Sequence, residues 1–227
     1  MPSILITGAN RGLGLEFARQ YLADGWRVFA TCRDPAHATD LSGLDGDIEV
    51  LALAVDLSRQ IDEAAQALKD ETLDVLVNNA GIFGPRAAQL GNLDPAAWRH
   101  VFEVNAIAPI KIAEAFLANV ERADRGRIAT VSSKMGSIGL MEGGNEYIYR
   151  SSKAALNAAH KALANEVAGR GVTCAVFHPG WVRTDMGGTE ADIDAAQSVA
   201  GMRAVIERLG PALTGRFWNY DGEELPW

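Results

Sequence analysis

Short apolar runs, rich in β-branched residues, alternate along this chain with longer stretches whose apolar residues recur at the helical period. This alternation is typical of parallel strands, because each parallel pair needs a long crossover connection, usually a helix. The runs are apolar nearly throughout, which indicates strands buried on both faces. The predicted strands are Ser3–Thr7, Arg27–Cys32, Glu49–Val55, Asp74–Val77, Arg127–Ser132, Thr173–Phe177 and a last one near Arg216–Trp218. The predicted fold class is therefore α/β, a doubly wound, seven-stranded parallel sheet with helices on both faces.

The stretches between these runs predict the helices. Leu13–Asp24 ends at Gly25, a residue type that is favoured just after a helix, and Ser58 is the predicted N-cap of Ser58–Lys69. The two longest patterns, Ala96–Ala123 and Tyr149–Ala168, are rich in alanine. Small side chains allow close packing, so these helices are expected to pack on the sheet or on a second copy of the chain.

The composition excludes several classes of function. With 48% hydrophobic and 22% charged residues, residues 1–227 are predicted to form a single globular domain. The formal net charge of -8, with no cluster of lysine or arginine, argues against nucleic acid or an anionic membrane as a partner. No leader pattern or membrane-spanning apolar run is recognised, so a cytoplasmic location is expected, and no metal site is predicted. Cys32 and Cys174 are expected to be buried thiols, with a single disulfide left open.

A glycine-rich segment follows the first predicted strand and leads directly into a helix. It reads Thr7-Gly8-Ala9-Asn10-Arg11-Gly12-Leu13-Gly14. Glycines at a strand-to-helix turn permit a tight bend and let backbone N–H groups approach a pyrophosphate, which the helix dipole also favours. The alternative is a structural turn that binds nothing, but the strand before and the helix after it favour a dinucleotide.

The order of motifs along the chain resembles that of the short-chain dehydrogenase/reductase family. The motifs are Thr7-Gly8-x-x-x-Gly12-x-Gly14, Asn78-Asn79-Ala80-Gly81, Asn105, Ser133, Tyr149-x-x-x-Lys153 and Pro179-Gly180. The segments 178–188 and 221–227 are similar to those of the branch of short proteins that includes C-factor and the sniffer-type carbonyl reductases. The resemblance implies a Rossmann domain and a nicotinamide-dependent oxidoreductase that acts on a small carbonyl or alcohol.

Tyr149 and Lys153 are the predicted catalytic pair. Four residues apart on a helix, they share one face. A tyrosine with an ordinary pKa near 10 is a poor acid–base group at neutral pH, and we expect the ammonium of Lys153 and the oxidised nicotinamide to lower that pKa. The resemblance implies that Tyr149 exchanges a proton with the substrate oxygen and that Lys153 also binds the nicotinamide ribose. Tyr147 is the weaker alternative because no lysine lies four residues beyond it.

Two polar residues complete the predicted catalytic set. Ser133 ends the fifth predicted strand, and the family pattern favours it over Ser132 and Ser137 as the donor to the substrate oxygen. A serine in this position would otherwise only cap the next element. Asn105 lies in a helical run, and the resemblance gives it a water that links Lys153 to solvent; the alternative is an exposed helical asparagine.

Further cofactor contacts follow from the resemblance alone. They are Asn79, Ala80 and Gly81 at the adenosine ribose, Asp56 and Leu57 at the adenine, and Pro179, Gly180, Val182 and Thr184 near the nicotinamide. The alternatives are that Asp56 is an N-cap and that Pro179-Gly180 is an ordinary turn.

The end of the second strand favours NADP(H) over NAD(H). An NAD site places a carboxylate there for the ribose 2′-hydroxyl, but this chain has Cys32, followed by Arg33. Arg33 and Arg11 of the glycine turn are predicted to converge on a 2′-phosphate. The alternative is that both arginines are solvated surface residues, with NAD(H) then open.

Two other functions remain open. The fold could serve a nucleotide-binding sensor or signalling protein, although the Tyr-x-x-x-Lys pair argues for turnover. An epimerase or dehydratase on the same fold would usually have a longer substrate segment.

The apolar residues Met135, Met141, Trp181 and Met186 are candidates for the substrate pocket. The resemblance implies a homodimer or homotetramer, and the sequence does not choose between these and a monomer.

Overall fold

The structure is a computed structural model that describes residues 1–86 and 88–227. Seven strands form one sheet in the order β3-β2-β1-β4-β5-β6-β7, and every neighbouring pair is parallel. From β1 the chain first winds outward to β3 and then crosses to β4 and winds the other way. The strand order therefore reverses between β1 and β4, which is the point of a doubly wound sheet where ligands bind. This confirms the predicted fold class.

The strands lie close to their predicted positions. Their bounds are β1 Ser3–Thr7, β2 Arg27–Cys32, β3 Ile48–Ala52, β4 Val75–Asn78, β5 Arg127–Val131, β6 Thr173–His178 and β7 Arg216–Asn219. The third strand is shorter than the apolar run that predicted it, because Leu53 and Val55 leave the sheet but stay buried in its core. The apolar run therefore predicted which residues are buried, but it did not predict where the third strand ends.

Helices cover both faces of the sheet. Their bounds are α1 Gly12–Ala23, α2 Thr39–Ser42, α3 Ser58–Ala67, α4 Pro95–Phe102, α5 Ala108–Glu121, α6 Tyr147–Val167 and α7 Ala195–Arg208. On one face α1 and α7 pack around Phe17, Tyr21 and Met202; on the other, α3, α5 and α6 pack around Phe116 and Val167. The two hydrophobic clusters bury alternate residues of the same strands, as the two-residue period of a strand requires.

Two helix predictions need correction. The predicted helix Ala96–Ala123 is interrupted by a π turn over Glu103–Ile107, between α4 and α5. Such single wide turns inside helices often occur at functional sites. The N-cap of α3 is Leu57 rather than Ser58, and no side chain caps that end. Gly25 does follow α1, with a φ of 75° that suits glycine.

Cys32 and Cys174 are both free and buried, in different hydrophobic clusters on opposite faces of the sheet. The disulfide that the sequence left open is therefore not formed. Across residues 1–86 and 88–227, none of the helices has the length and apolar character needed to span a bilayer.

Candidate active site

A cleft of about 440 Å³ runs along the carboxyl ends of the strands, across the point where the strand order reverses. Residues from the glycine turn, from the ends of β2 and β4, from α6 and from the segment after β6 line it together. The predicted site residues in its wall are Gly8, Asn10, Arg11, Gly12, Leu13, Arg33, Asp56, Asn79, Ala80, Gly81, Tyr149, Lys153, Pro179 and Thr184. The fold thus brings most of the predicted nucleotide and catalytic residues into one cleft, although they are distant in sequence.

The glycine turn has the backbone geometry that its sequence predicts. Gly8 and Gly12 have φ angles of 66° and 55°, a region that L side chains rarely adopt. Gly14 packs so closely that a Cβ there would lie 2.3 Å from the carbonyl oxygen of Gly8 and 2.6 Å from Nδ2 of Asn79. The start of α1 therefore lies directly against the turn, where its free N–H groups face the cleft.

Asn79 fixes this turn to the neighbouring strand. Its Nδ2 donates to the carbonyl oxygens of Thr7 at 2.9 Å and Gly8 at 3.1 Å. The hydroxyl of Thr7 in turn accepts from the backbone N–H groups of Asn79 and Ala80. The amide of Asn79, predicted to line the adenosine ribose, therefore also shapes the glycine turn, a role that the sequence analysis did not assign.

Tyr149 and Lys153 lie on one face of α6 and are both buried. Nζ of Lys153 is 5.9 Å from the centre of the Tyr149 ring and donates to the carbonyl oxygen of Val131 at 3.1 Å. Tyr147, the alternative, is the first residue of α6, outside the cleft wall, with its hydroxyl close to Gly144. Between the two tyrosines, the geometry favours Tyr149.

Burial shifts both pKa values of this pair. It raises the pKa of Tyr149 to about 12, and a hydrogen bond with Ser133 acts in the opposite direction. Burial also lowers the pKa of Lys153 to about 8, because a charged ammonium loses its hydration. In the protein by itself, desolvation is the larger influence on the Tyr149 hydroxyl; that the ammonium of Lys153 and the oxidised nicotinamide together lower its pKa stays a prediction.

Of the three candidate serines, Ser133 is the one that contacts Tyr149. Its Oγ also accepts from the N–H of Met135 at 3.1 Å, so it caps the short turn that follows β5 as well. Ser132 lines the cleft, but its hydroxyl donates to Asn157 at 2.7 Å, and that of Ser137 donates to the carbonyl oxygen of Pro226 at 2.7 Å. Ser133 is buried next to the tyrosine.

Asn105 is fully buried in the π turn and is not an exposed helical residue. Its Oδ1 accepts from the N–H of Ile82 at 2.9 Å, and its Nδ2 donates to the carbonyl oxygen of Ile82 at 2.8 Å and to Oγ of Ser152 at 3.0 Å. A Cβ on Gly81 would lie 3.3 Å from Oδ1 of Asn105 and 3.5 Å from Nζ of Lys153. Asn105 thus fixes the loop after β4 to α6, beside the lysine.

Four predicted cofactor residues lie outside the cleft wall. Gly14 packs under the glycine turn, and Leu57 is the exposed N-cap of α3. Val182 is buried in a bridge to Ile193, and Gly180 has a φ of 84° and packs against the side chain of Ile193. Gly14, Gly180 and Val182 pack against protein atoms and Leu57 is exposed, and the direct cofactor contacts of these four residues stay a prediction.

An aromatic stack next to Tyr149 was missed by sequence reasoning. The ring of Phe83 lies 4.5 Å from that of Tyr149 at an angle of 22°, and the guanidinium of Arg86 lies 4.9 Å from the centre of the Phe83 ring. Nη2 of Arg86 donates to the carbonyl oxygen of Met186 at 2.6 Å. The only sequence signal for Phe83 is that it directly follows the Asn-Ala-Gly motif and Ile82.

Other cleft residues were given no role by the sequence and were missed as site residues. They are Leu53, Val55, Ile82, His100, Val104, Val131, Arg183 and Asp185. Most are apolar or helical residues that reach the cleft only through the fold. Met186, predicted as apolar lining, does line it.

The predicted phosphate-binding arginines both line the cleft. Cys32 is buried at the end of β2, and the next carboxylate, Asp34, pairs with Nδ1 of His37 at 2.6 Å outside the cleft wall. Nη1 of Arg11 donates to Oδ2 of Asp185 at 2.5 Å. The pairing with Asp185 places a carboxylate on one of the two predicted phosphate-binding arginines, which the sequence did not lead us to expect.

Comparison with known proteins decides the family. The family model described as short chain dehydrogenase matches residues 2–194. The chain belongs to the short-chain dehydrogenase family. It is 43% identical over 155 residues to C-signal of Myxococcus xanthus, which covers 68% of this chain and 93% of that protein.

Solved structures of this family superpose on nearly the whole chain. NADPH-bound carbonyl reductase from chicken fatty liver has a TM-score of 0.93 at 35% identity, covering 100% of this chain and 99% of that one. Carbonyl reductase Sniffer of D. melanogaster has a TM-score of 0.92 at 35% identity, with both chains covered fully. The predicted resemblance to the branch that includes C-factor and the sniffer-type reductases is therefore confirmed.

Proposed function

We propose that this short-chain dehydrogenase is an NADP(H)-dependent reductase of small carbonyl compounds. The observation that carries the proposal is the convergence of the glycine turn, Tyr149 and Lys153 on one cleft, with Ser133 in contact with Tyr149. The two solved neighbours described above are carbonyl reductases, and one of them is bound to NADPH. The family membership, the site and the neighbours thus support the same reaction class.

The cleft fits a dinucleotide. Gly8 and Gly12 adopt positive φ angles that leave the backbone of the turn open, and a Cβ on Gly8 would lie 3.0 Å from Cα of Ala80. The first turn of α1 offers unpaired N–H groups to a pyrophosphate. Arg11 and Arg33 would hold the 2′-phosphate of NADP(H), and Lys153 the nicotinamide ribose. When bound, the nicotinamide supplies the hydride that the substrate carbon receives.

Tyr149 is the proton donor in the proposed reduction. In the protein by itself its pKa is about 12, so its hydroxyl is protonated at neutral pH. The ammonium of Lys153 and a bound oxidised nicotinamide would stabilise the phenolate and so lower this pKa as the proton passes to the substrate oxygen. Ser133 donates a second hydrogen bond to the same oxygen and stabilises the negative charge that develops there. Lys153, with a pKa of about 8, holds a positive charge beside the phenolate once the proton has left. Asn105 keeps the loop at Ile82 in place and is the proposed anchor of the proton path to Lys153.

The test compares two tyrosines in the same helix. Purified wild type, Tyr149→Phe and Tyr147→Phe are titrated with NADPH and NADH by fluorescence, and oxidation of the preferred cofactor is then followed with a panel of aldehydes, ketones and quinones. Tyr149→Phe is expected to bind NADPH as the wild type does and to lose about 10²–10⁴-fold in kcat/KM. Tyr147→Phe is the matched control and should retain activity. Equal activity in all three proteins would contradict the catalytic assignment.

A nucleotide-binding signalling protein is the second candidate. The similarity to C-signal, 43% identity over 155 residues, is the observation that favours it. Tight NADPH binding without turnover of any carbonyl compound would favour this candidate over the reductase.

A further inference from the structure

Arg11 is paired with a carboxylate to which the sequence analysis gave no role. Its Nη1 donates to Oδ2 of Asp185 at 2.5 Å, and the two side chains are 64% and 74% exposed. Arg11 precedes α1, whereas Asp185 lies 174 residues later in the segment after β6. Both line the cleft, so their ion pair joins the glycine turn to the segment after β6.

Arg33, the second arginine proposed to bind the 2′-phosphate, has no such carboxylate partner among the described residues. Arg33 also lines the cleft and is exposed, yet it forms no ion pair with any residue that the structure describes. One guanidinium is thus available to an incoming anion, and the other already has a carboxylate partner. The difference between the two arginines points to Asp185 as a residue that acts on the nucleotide.

A carboxylate and a phosphate monoester are the same kind of partner for a guanidinium, since both accept its N–H groups in charge-assisted hydrogen bonds. A 2′-phosphate that binds Arg11 must therefore replace or share the contact with Asp185, and it also approaches the negative charge of that carboxylate. The 2′-hydroxyl of NADH carries no charge, so it neither competes with Asp185 for Arg11 nor is repelled by that carboxylate. The cost that Asp185 imposes falls on NADPH and leaves NADH almost unaffected.

We propose that Asp185 is a specificity-determining residue that competes with the cofactor 2′-phosphate for Arg11 and so limits the preference for NADPH over NADH. The inference rests on the proposed function, because it takes Arg11 as a ligand of the 2′-phosphate. Exposed ion pairs are weak, so the expected change in NADPH affinity is about two- to fivefold.

Dissociation constants for NADPH and NADH are measured by fluorescence titration for wild type, Asp185→Asn, Arg11→Ala and the double variant. Asp192→Asn is the matched control, because Asp192 is exposed in the same segment and its side chain forms no ion pair with a described residue. Removing a charge at Asp192 reports the effect of net charge alone. The titrations are repeated at low and high salt, since a competition between charges weakens as salt rises.

Tighter NADPH binding in Asp185→Asn, with unchanged NADH binding, no effect of Asp192→Asn and no effect of Asp185→Asn in the Arg11→Ala background, would support the proposal. Weaker NADPH binding in Asp185→Asn would overturn it, because Asp185 would then orient Arg11 instead of competing for it. An equal change for NADPH and NADH would also overturn it. If wild type does not prefer NADPH, or Arg11→Ala leaves NADPH binding unchanged, the arginine assignment in the proposed function fails first.

Discussion

Gly14→Ala tests whether α1 must lie directly against the glycine turn. Gly14 has no positive φ, so alanine meets no backbone strain there, and any effect comes from contacts of the new methyl group. That methyl group would lie 2.3 Å from the carbonyl oxygen of Gly8 and 2.6 Å from Nδ2 of Asn79. Neither distance is tolerated by real atoms, and the nearer neighbour is backbone. The turn and the helix therefore have to move apart.

The expected loss of stability follows from two opposing effects. Overpacking of this kind destabilises a protein by about 1–3 kcal/mol. Replacing glycine by alanine in a helix stabilises it by up to about 1 kcal/mol, which offsets part of that loss. The net loss of about 1–2 kcal/mol corresponds to a decrease in Tm of roughly 2–8 °C for a chain of this size. The same movement displaces the N–H groups that face the pyrophosphate, so NADPH affinity is expected to fall about tenfold or more.

Thermal unfolding and NADPH titration measure both effects. The matched control is Gly210→Ala, because Gly210 has an extended φ of -156° and no atom within 4 Å of an added Cβ. This control should keep its NADPH affinity and lose no stability. If Gly14→Ala binds NADPH as tightly as wild type, the close approach of the turn and α1 is not what forms the phosphate site.

Two further predictions concern Phe83, which stacks on Tyr149, and the buried His160 of α6. Phe83→Ala is expected to lower kcat about 2–10-fold, because the stack that orients Tyr149 is lost. It should also shift the alkaline limb of the pH–rate profile to lower pH, since water then reaches the phenol and lowers its pKa. An unchanged pH–rate profile would rule out this role. His160 is fully buried, and burial holds its pKa at about 4, below the 6.5 of an exposed histidine. The unfolded chain therefore takes up this proton first as the pH falls, and stability is lost between about pH 6.5 and pH 4. The free energy of unfolding is measured with urea at pH 7 and at pH 5. Its decrease between the two pH values should be about 2 kcal/mol smaller in His160→Leu than in wild type. Equal decreases would show that His160 does not have the lowered pKa.

The strands and the site motifs were predictable because both depend on local sequence. Parallel strands buried on two faces read as apolar runs, and β1, β2 and β6 were placed within a residue at each end. The glycine turn and the Tyr149–Lys153 pair are defined by spacing within one turn or one helix. Such features need no knowledge of which segments meet in the fold.

The features that were missed depend on tertiary contacts or on backbone detail. The π turn at Asn105 interrupts a helix whose hydrophobic pattern continues through it, so periodicity predicts one long helix. Asp185 meets Arg11 because the segment after β6 reaches the turn after β1, and Phe83 meets Tyr149 because the loop after β4 reaches α6. The raised pKa of Tyr149 likewise follows from burial, which a motif does not report.

The central claim is that this cleft transfers a hydride from NADPH to a carbonyl carbon while Tyr149 supplies the proton. The most direct measurement is a single turnover with NADPH that carries deuterium at the transferable position of C4, followed by mass spectrometry of the alcohol. The account predicts one deuterium on the carbinol carbon with the wild type, and labelling about 10²–10⁴-fold slower with Tyr149→Phe, although that variant binds the cofactor. Full binding of NADPH by the wild type without any labelled alcohol, for every carbonyl in the panel, would contradict the account.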